Sequence, residues 1–93
     1  MKVLKFDDVR RNNMDNMTLN KMKPGDKGKI IKIKISGASG RRLMDLGFIP
    51  GSRFKIIRNA PLIDPVELEI RENNVSIRHA EAEYIEVLPE WKN

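Results

Sequence analysis

One histidine, no cysteine and a run of C-terminal carboxylates set the chemical limits of this 93-residue chain. His79 is followed by Glu81, Glu83 and Glu86, the only grouping of metal-ligating residue types that the sequence offers. One imidazole with flexible carboxylates makes a poor ligand set, and the spacing of a His-x-x-x-His or Cys-x-x-Cys site is missing. His79 is therefore expected to be a solvated residue at a strand end and only a weak metal candidate. Met14, Met17, Met22 and Met44 read as core or tail filler rather than as a soft-metal site. Without cysteine or a second histidine, no Ser-His-Asp or Cys-His set forms apart from His79. The "GASG" stretch lacks the lysine and the flanking pattern of a phosphate-binding loop. The expectation is a protein that is not an enzyme and holds no cofactor.

Charge leaves a binding role open. The net charge is +5, unevenly spread: residues 1–58 hold 15 Lys and Arg against 5 Asp and Glu, and residues 59–93 hold 3 against 8. A basic face attracts nucleic acid or an acidic partner, whereas lysines on solvated strand faces attract nothing in particular. A "KPGDKGKIIKI" segment of this kind occurs in KOW-type barrels, which makes an RNA-binding module the alternative reading. Against it stand the scarcity of stacking platforms, with five aromatics in all (Phe6, Phe48, Phe54, Tyr84 and Trp91), and the outward acids, such as Glu67 and Glu69. Nucleic acid is therefore an unlikely partner. No apolar run reaches the roughly 18 residues of a membrane span, and the N-terminus lacks the apolar core of a secretory signal. Together with the absence of cysteine, this points to a cytoplasmic protein.

The elements that must position these residues are mostly strands. Residues 1–17 read as a flexible extension, 18–88 as one small domain and 89–93 as a short tail. Pro24-Gly25 and Pro50-Gly51 each suit a type II turn, with Pro fixing φ and Gly taking the positive φ that follows. After the first turn Ile31, Ile33 and Ile35 alternate with lysines as a half-buried strand, and Ile30 breaks the alternation, which suggests a bulge. Ser39 is placed to cap a short helix over about Gly40–Leu46. Gly47 would end that helix in a left-handed conformation, with Phe48 touching Leu43 one turn back. Phe54 and Ile56 mark a second strand. Val66, Leu68 and Ile70 mark a third, Asn73-Asn74 signals a hairpin turn, and Val75 and Ile77 mark its partner. Ile85 and Val87 close the pattern. "PGDKGKIIK" and "PGSRFKIIR" echo one another 26 residues apart, one turn-and-strand device used twice. Together these read as an all-β domain with one short helix, a small SH3-like barrel of about five strands, with an OB-fold as second choice.

Three blocks carry a more specific signal. Arg42, Leu43, Leu46, Gly47, Phe48, Pro50 and Gly51 are followed by Pro61, Leu62, Asp64 and Pro65, then by Ile77, Arg78, Glu81, Ala82, Ile85 and Val87. In this order and spacing they resemble the ferrous iron transport protein A (FeoA) family over about residues 18–88. Asn73-Asn74 departs from the glycine often found in that hairpin, and residues 1–17 match nothing in the pattern. The resemblance implies an SH3-like barrel, similar to the C-terminal domain of DtxR-type regulators, and a cytosolic adaptor for FeoB, a membrane transporter with a GTP-binding domain. It leaves transition-metal binding and weak self-association open, although the residues offer Fe2+ no convincing ligand set. On this reading Leu43, Leu46, Gly47, Phe48, Pro24 and Gly25 are structural. Met44, Ile49, Pro50 and Gly51 join Ala60, Pro61, Leu62 and Pro65 in an apolar docking patch rimmed by Arg41, Arg42 and Arg58.

Overall fold

The computed structural model describes residues 16–90. Six strands are formed: β1 Met17–Thr18, β2 Lys27–Ile33, β3 Arg53–Arg58, β4 Val66–Ile70, β5 Asn73–Ile77 and β6 Ile85–Glu90. A 3-10 turn covers Leu19–Lys21, helix α1 covers Gly37–Asp45 and the single turn α2 covers His79–Ala82. The strands make one sheet in the order β1-β6-β2-β3-β4-β5, every neighbouring pair antiparallel. Closure of the barrel by hydrogen bonds, which the sequence suggested, is not made between β5 and β1. With only two residues, β1 passes straight into the 3-10 turn and offers β5 no second ladder edge.

The repeated turn-and-strand device has a geometric meaning. Gly28 faces Phe54 across the β2–β3 ladder, with Lys27 opposite Lys55 and Lys29 opposite Arg53. Gly25 N–H donates to Ile56 C=O at 2.8 Å, and Gly51 N–H donates to Ile30 C=O at 2.7 Å. These two bonds exchange under the 26-residue offset, so the echo forms a local two-fold centred on the Gly28–Phe54 pair. Both Ile-Ile steps coincide with register shifts, between Ile30 and Lys32 and between Ile56 and Arg58. A bulge spends one extra residue and turns the next side chain outward. Ile30 and Ile56 are accordingly buried while Ile31 and Ile57 are exposed. The inward face of β2 thus carries Gly28 and Ile30, and Ile31 turns outward. Gly28 permits the axis: a Cβ there would lie 2.7 Å from Leu88 O and 3.0 Å from the Phe54 ring.

The core gathers Leu19, Ile30, Leu43, Phe48, Ile56, Val66, Leu68, Ile70, Ile85 and Val87, all fully buried, with Met22, Phe54, Val75 and Ile77 close behind. Several boundaries differ from expectation for identifiable reasons. Helix α1 starts at Gly37 rather than Gly40, from Ser36 and with no side-chain cap. Gly40 lies inside it because a Cβ there would collide with the Ile35 carbonyl. The hairpin turns at Arg71-Glu72, both at positive φ, not at Asn73-Asn74. A turn at the asparagines would set Glu72 opposite Val75 and His79 opposite Leu68 on the core face, whereas the observed register joins Leu68 to Val75 and Val66 to Ile77. Met17 belongs to β1, and Pro89 and Glu90 extend β6 along β2, so neither end is a loose tail at those residues. The rest of the expected flexible extension, 1–15, and of the tail, 91–93, lies outside the described residues. Among the described residues no helix is long and apolar enough to cross a membrane.

Candidate docking surface

The corner from Leu43 to Ser52 is built by its own backbone. Gly47, at φ 112°, ends α1: its N–H donates to Met44 C=O and the Phe48 N–H reaches back to Leu43 C=O, both at 3.0 Å. This is the double bond pattern of a Schellman end. Ser52 N–H then donates to Ile49 C=O at 2.9 Å across Pro50-Gly51. The result sorts the apolar residues. Leu43 and Phe48 are buried, Leu46 packs at the edge of the core, and Met44 and Ile49 are 49% and 40% exposed. Met44 borders a groove of about 200 Å³ with Ile33, Ile35, Gly40 and Arg41.

The Ala60–Pro65 loop is held from outside. The His79 ring Nε2 lies 3.1 Å from both Ala60 C=O and Ile63 C=O. Carbonyls only accept, so Nε2 carries the hydrogen and has no lone pair to give a metal. The His79 backbone N–H donates to Asp64 Oδ1 at 2.7 Å. At the loop's root Asn59 Nδ2 donates to Met22 C=O at 2.6 Å and to Asn20 C=O at 3.1 Å. Leu62 stands at φ 62°, a left-handed conformation that costs a leucine energy. Its side chain is 95% exposed and that of Ile63 is 62% exposed. His79 is therefore no free strand-end residue but the brace of this loop. The residue-type list gave no hint of it, since the partners are backbone carbonyls.

Helix α2 lies between the two features. Its His79 holds the loop, and its Glu81 takes the Arg42 guanidinium of α1 at 2.6 Å. Partial burial favours a proton on Glu81. The N–H of Arg78 and then the Arg42 guanidinium outweigh this and hold the carboxyl below its ordinary range. The groove beside Met44 contains no residue of the loop, so of the expected patch it joins Met44 and Arg41 alone. Of the expected rim, Arg41 lines the groove, Arg42 is tied to Glu81, and Arg58 pairs with Glu67 at 3.3 Å. Among the described residues no three His, Asp or Glu side chains converge on a metal-sized site. Glu86 instead faces Lys34 at 3.9 Å.

The uneven charge of the sequence becomes stripes. Lys27, Lys29, Arg53 and Lys55 crowd the outer face of β2 and β3. Acids of β6 and β4 flank them, with Glu90 on Arg53 at 2.8 Å and Glu69 opposite Lys55. Surface pairs of this kind add little stability, but they break up the continuous basic face that a polyphosphate chain would follow.

Comparison with known proteins bears on the family and the fold. The chain is 35% identical over 71 residues to the Fe(2+) transport protein A/Fe(2+) transporter FeoB fusion protein of Porphyromonas gingivalis, across 76% of this chain and 8% of that much longer protein. The solution structure of the FeoA protein of Chlorobium tepidum superposes with a TM-score of 0.76 at 36% identity, covering 83% of this chain and 73% of that one. Stenotrophomonas maltophilia FeoA, described as an SH3-domain protein, shares the fold at a TM-score of 0.70 and 21% identity, over 83% of this chain and 99% of that one. A family model described as the FeoA domain matches residues 17–89. An SH3-like sheet with one short helix, matched along nearly all of its described length, assigns this chain to the FeoA-domain family.

Proposed function

We propose that this chain is a non-enzymatic cytosolic accessory of ferrous iron uptake that docks onto a FeoB-type transporter carrying a GTP-binding domain. One observation carries the reading: a relative 35% identical over 71 residues is a single protein in which transport protein A is fused to the FeoB transporter. Two activities fused in one chain elsewhere are activities that meet when they are made apart. Docking belongs to the corner, where Met44 and Ile49 are aliphatic, exposed and mounted on a rigid backbone. Arg41 lies beside Met44 and supplies a polar rim. Ferrous iron is the transporter's cargo in this scheme, not a ligand of the adaptor.

The test is binding of the purified chain to the cytosolic domain of its transporter. Met44→Asp sets a charge in the contact and is expected to weaken association by at least about tenfold with the melting curve unchanged. Undiminished binding by the folded variant would reject the corner as the docking site.

A further inference from the structure

The Leu62-Ile63 tip has features that docking at the corner does not use. It carries two exposed aliphatic side chains and sits on a strained residue that the fold holds in place. Part of its polar backbone is already paired. Ile63 N–H donates to Ala60 C=O at 3.1 Å, and the His79 ring donates to the carbonyls of both Ala60 and Ile63. Groups paired in advance lower the cost of leaving water for an apolar phase. The loop's one charge, Asp64, is turned back to accept the His79 N–H. Asn59 ties the root of the loop to the backbone of the Asn20–Met22 turn, the segment that carries exposed Lys21 and Lys23. Arg58 at the root is neutralised by Glu67. Lys21 and Lys23 form no ion pair with another described residue, and the chain as a whole carries +5.

We propose that the Ala60–Pro65 loop is a membrane-surface contact, in which Leu62 and Ile63 enter the interfacial layer of an anionic bilayer while Lys21 and Lys23 meet its headgroups. Charge selects the occupant: an apolar tip near lysines that no described residue neutralises complements an anionic lipid surface. The contact is independent of corner docking and would place the adaptor flat against the membrane that holds its partner.

The experiment is co-sedimentation of the full chain with vesicles of phosphatidylcholine alone and of phosphatidylcholine mixed equally with phosphatidylglycerol. Binding is expected to the anionic vesicles only and to weaken as salt is raised. Leu62→Asp with Ile63→Asp is expected to lower partitioning by at least about tenfold, and Lys21→Glu with Lys23→Glu by a similar factor. His79→Ala keeps both aliphatics but frees the loop, and is expected to show an intermediate loss. Thermal melts confirm that each variant folds. Absence of wild-type binding, or equal binding by the Leu62/Ile63 double variant, overturns the proposal. In a separate binding measurement with the transporter's cytosolic domain, loss of that domain by the same variant with vesicle binding kept also overturns it, because the tip then fits a protein pocket. Lipid is the only ligand in the vesicle assay, so its result does not depend on whether the corner docks.

Discussion

The Leu43–Ser52 corner and the Ala60–Pro65 loop both hold aliphatic side chains in water, but they do so by opposite means. The corner is bonded mainly at short range: Gly47 to Met44, Phe48 to Leu43 and Ser52 to Ile49 lie within five residues of chain, and its Pro-Gly turn is anchored to Ile30 of β2 through Gly51 N–H and Ser52 C=O. The loop depends on distant groups. His79 lies 19 residues from Ala60, and Asn59 reaches carbonyls 37 and 39 residues away. A surface built from local bonds stays in shape when its surroundings loosen. One built on remote braces is tied to the state of the element that supplies them, here α2.

Substitutions can break that contrast. The largest effect is expected for Phe48→Ala, which empties a fully buried site under the corner and should cost about 3–5 kcal/mol in denaturant unfolding. Gly47→Val comes next. It forces a branched residue to φ 112° with a Cβ about 3.0 Å from the Arg71 side chain, and should cost on the order of 2 kcal/mol. His79→Ala should cost less globally, about 1 kcal/mol, yet change the loop most. Amide exchange at residues 60–64 should quicken while residues 43–52 stay as they were; equal acceleration in both would erase the distinction drawn here. The smallest effect concerns acid. The folded state holds the Glu81 carboxyl below its ordinary value of 4.5, so its contribution to stability is complete above that pH. It is lost as the pH falls through the lower, folded value. An acid titration of stability should therefore flatten slightly in Glu81→Gln, and Arg42→Gln should give a smaller change in the same direction, because the Arg78 N–H still holds the carboxylate.

The same contrast explains what the sequence disclosed. The Schellman end, both Pro-Gly turns and the inward set on β3, β4 and β5 were legible because each follows from residues a few positions apart. The bulge after Ile30 was visible as a break in alternation. Its consequence, Ile30 inward and Ile31 outward, needed the pairing with β6. The start of α1 was misread because Gly40 looks like a boundary until the Ile35 carbonyl is seen against it. The hairpin turn was misplaced because asparagine tolerates positive φ, yet the strand register decides where positive φ is needed. His79 was the plainest failure of local reading: its ring bonds join backbone atoms that no residue type announces. The residues of the expected docking patch could be written down from the sequence, but the contacts of α2 with Arg42 on one side and Asp64 on the other span 39 and 15 residues and could not.

The central claim is that a FeoB-type cytosolic domain meets this chain at the corner. The most direct test is an NMR titration of the isotope-labelled chain with that domain of its own transporter. The account predicts shifts concentrated at Met44–Gly51 and at the flanking Ile33 and Ile35, saturating with the domain and absent in Met44→Asp. Shifts centred on the outer face of β2 and β3, or no shifts at all beside salt-sensitive binding of RNA in a parallel titration, would contradict it.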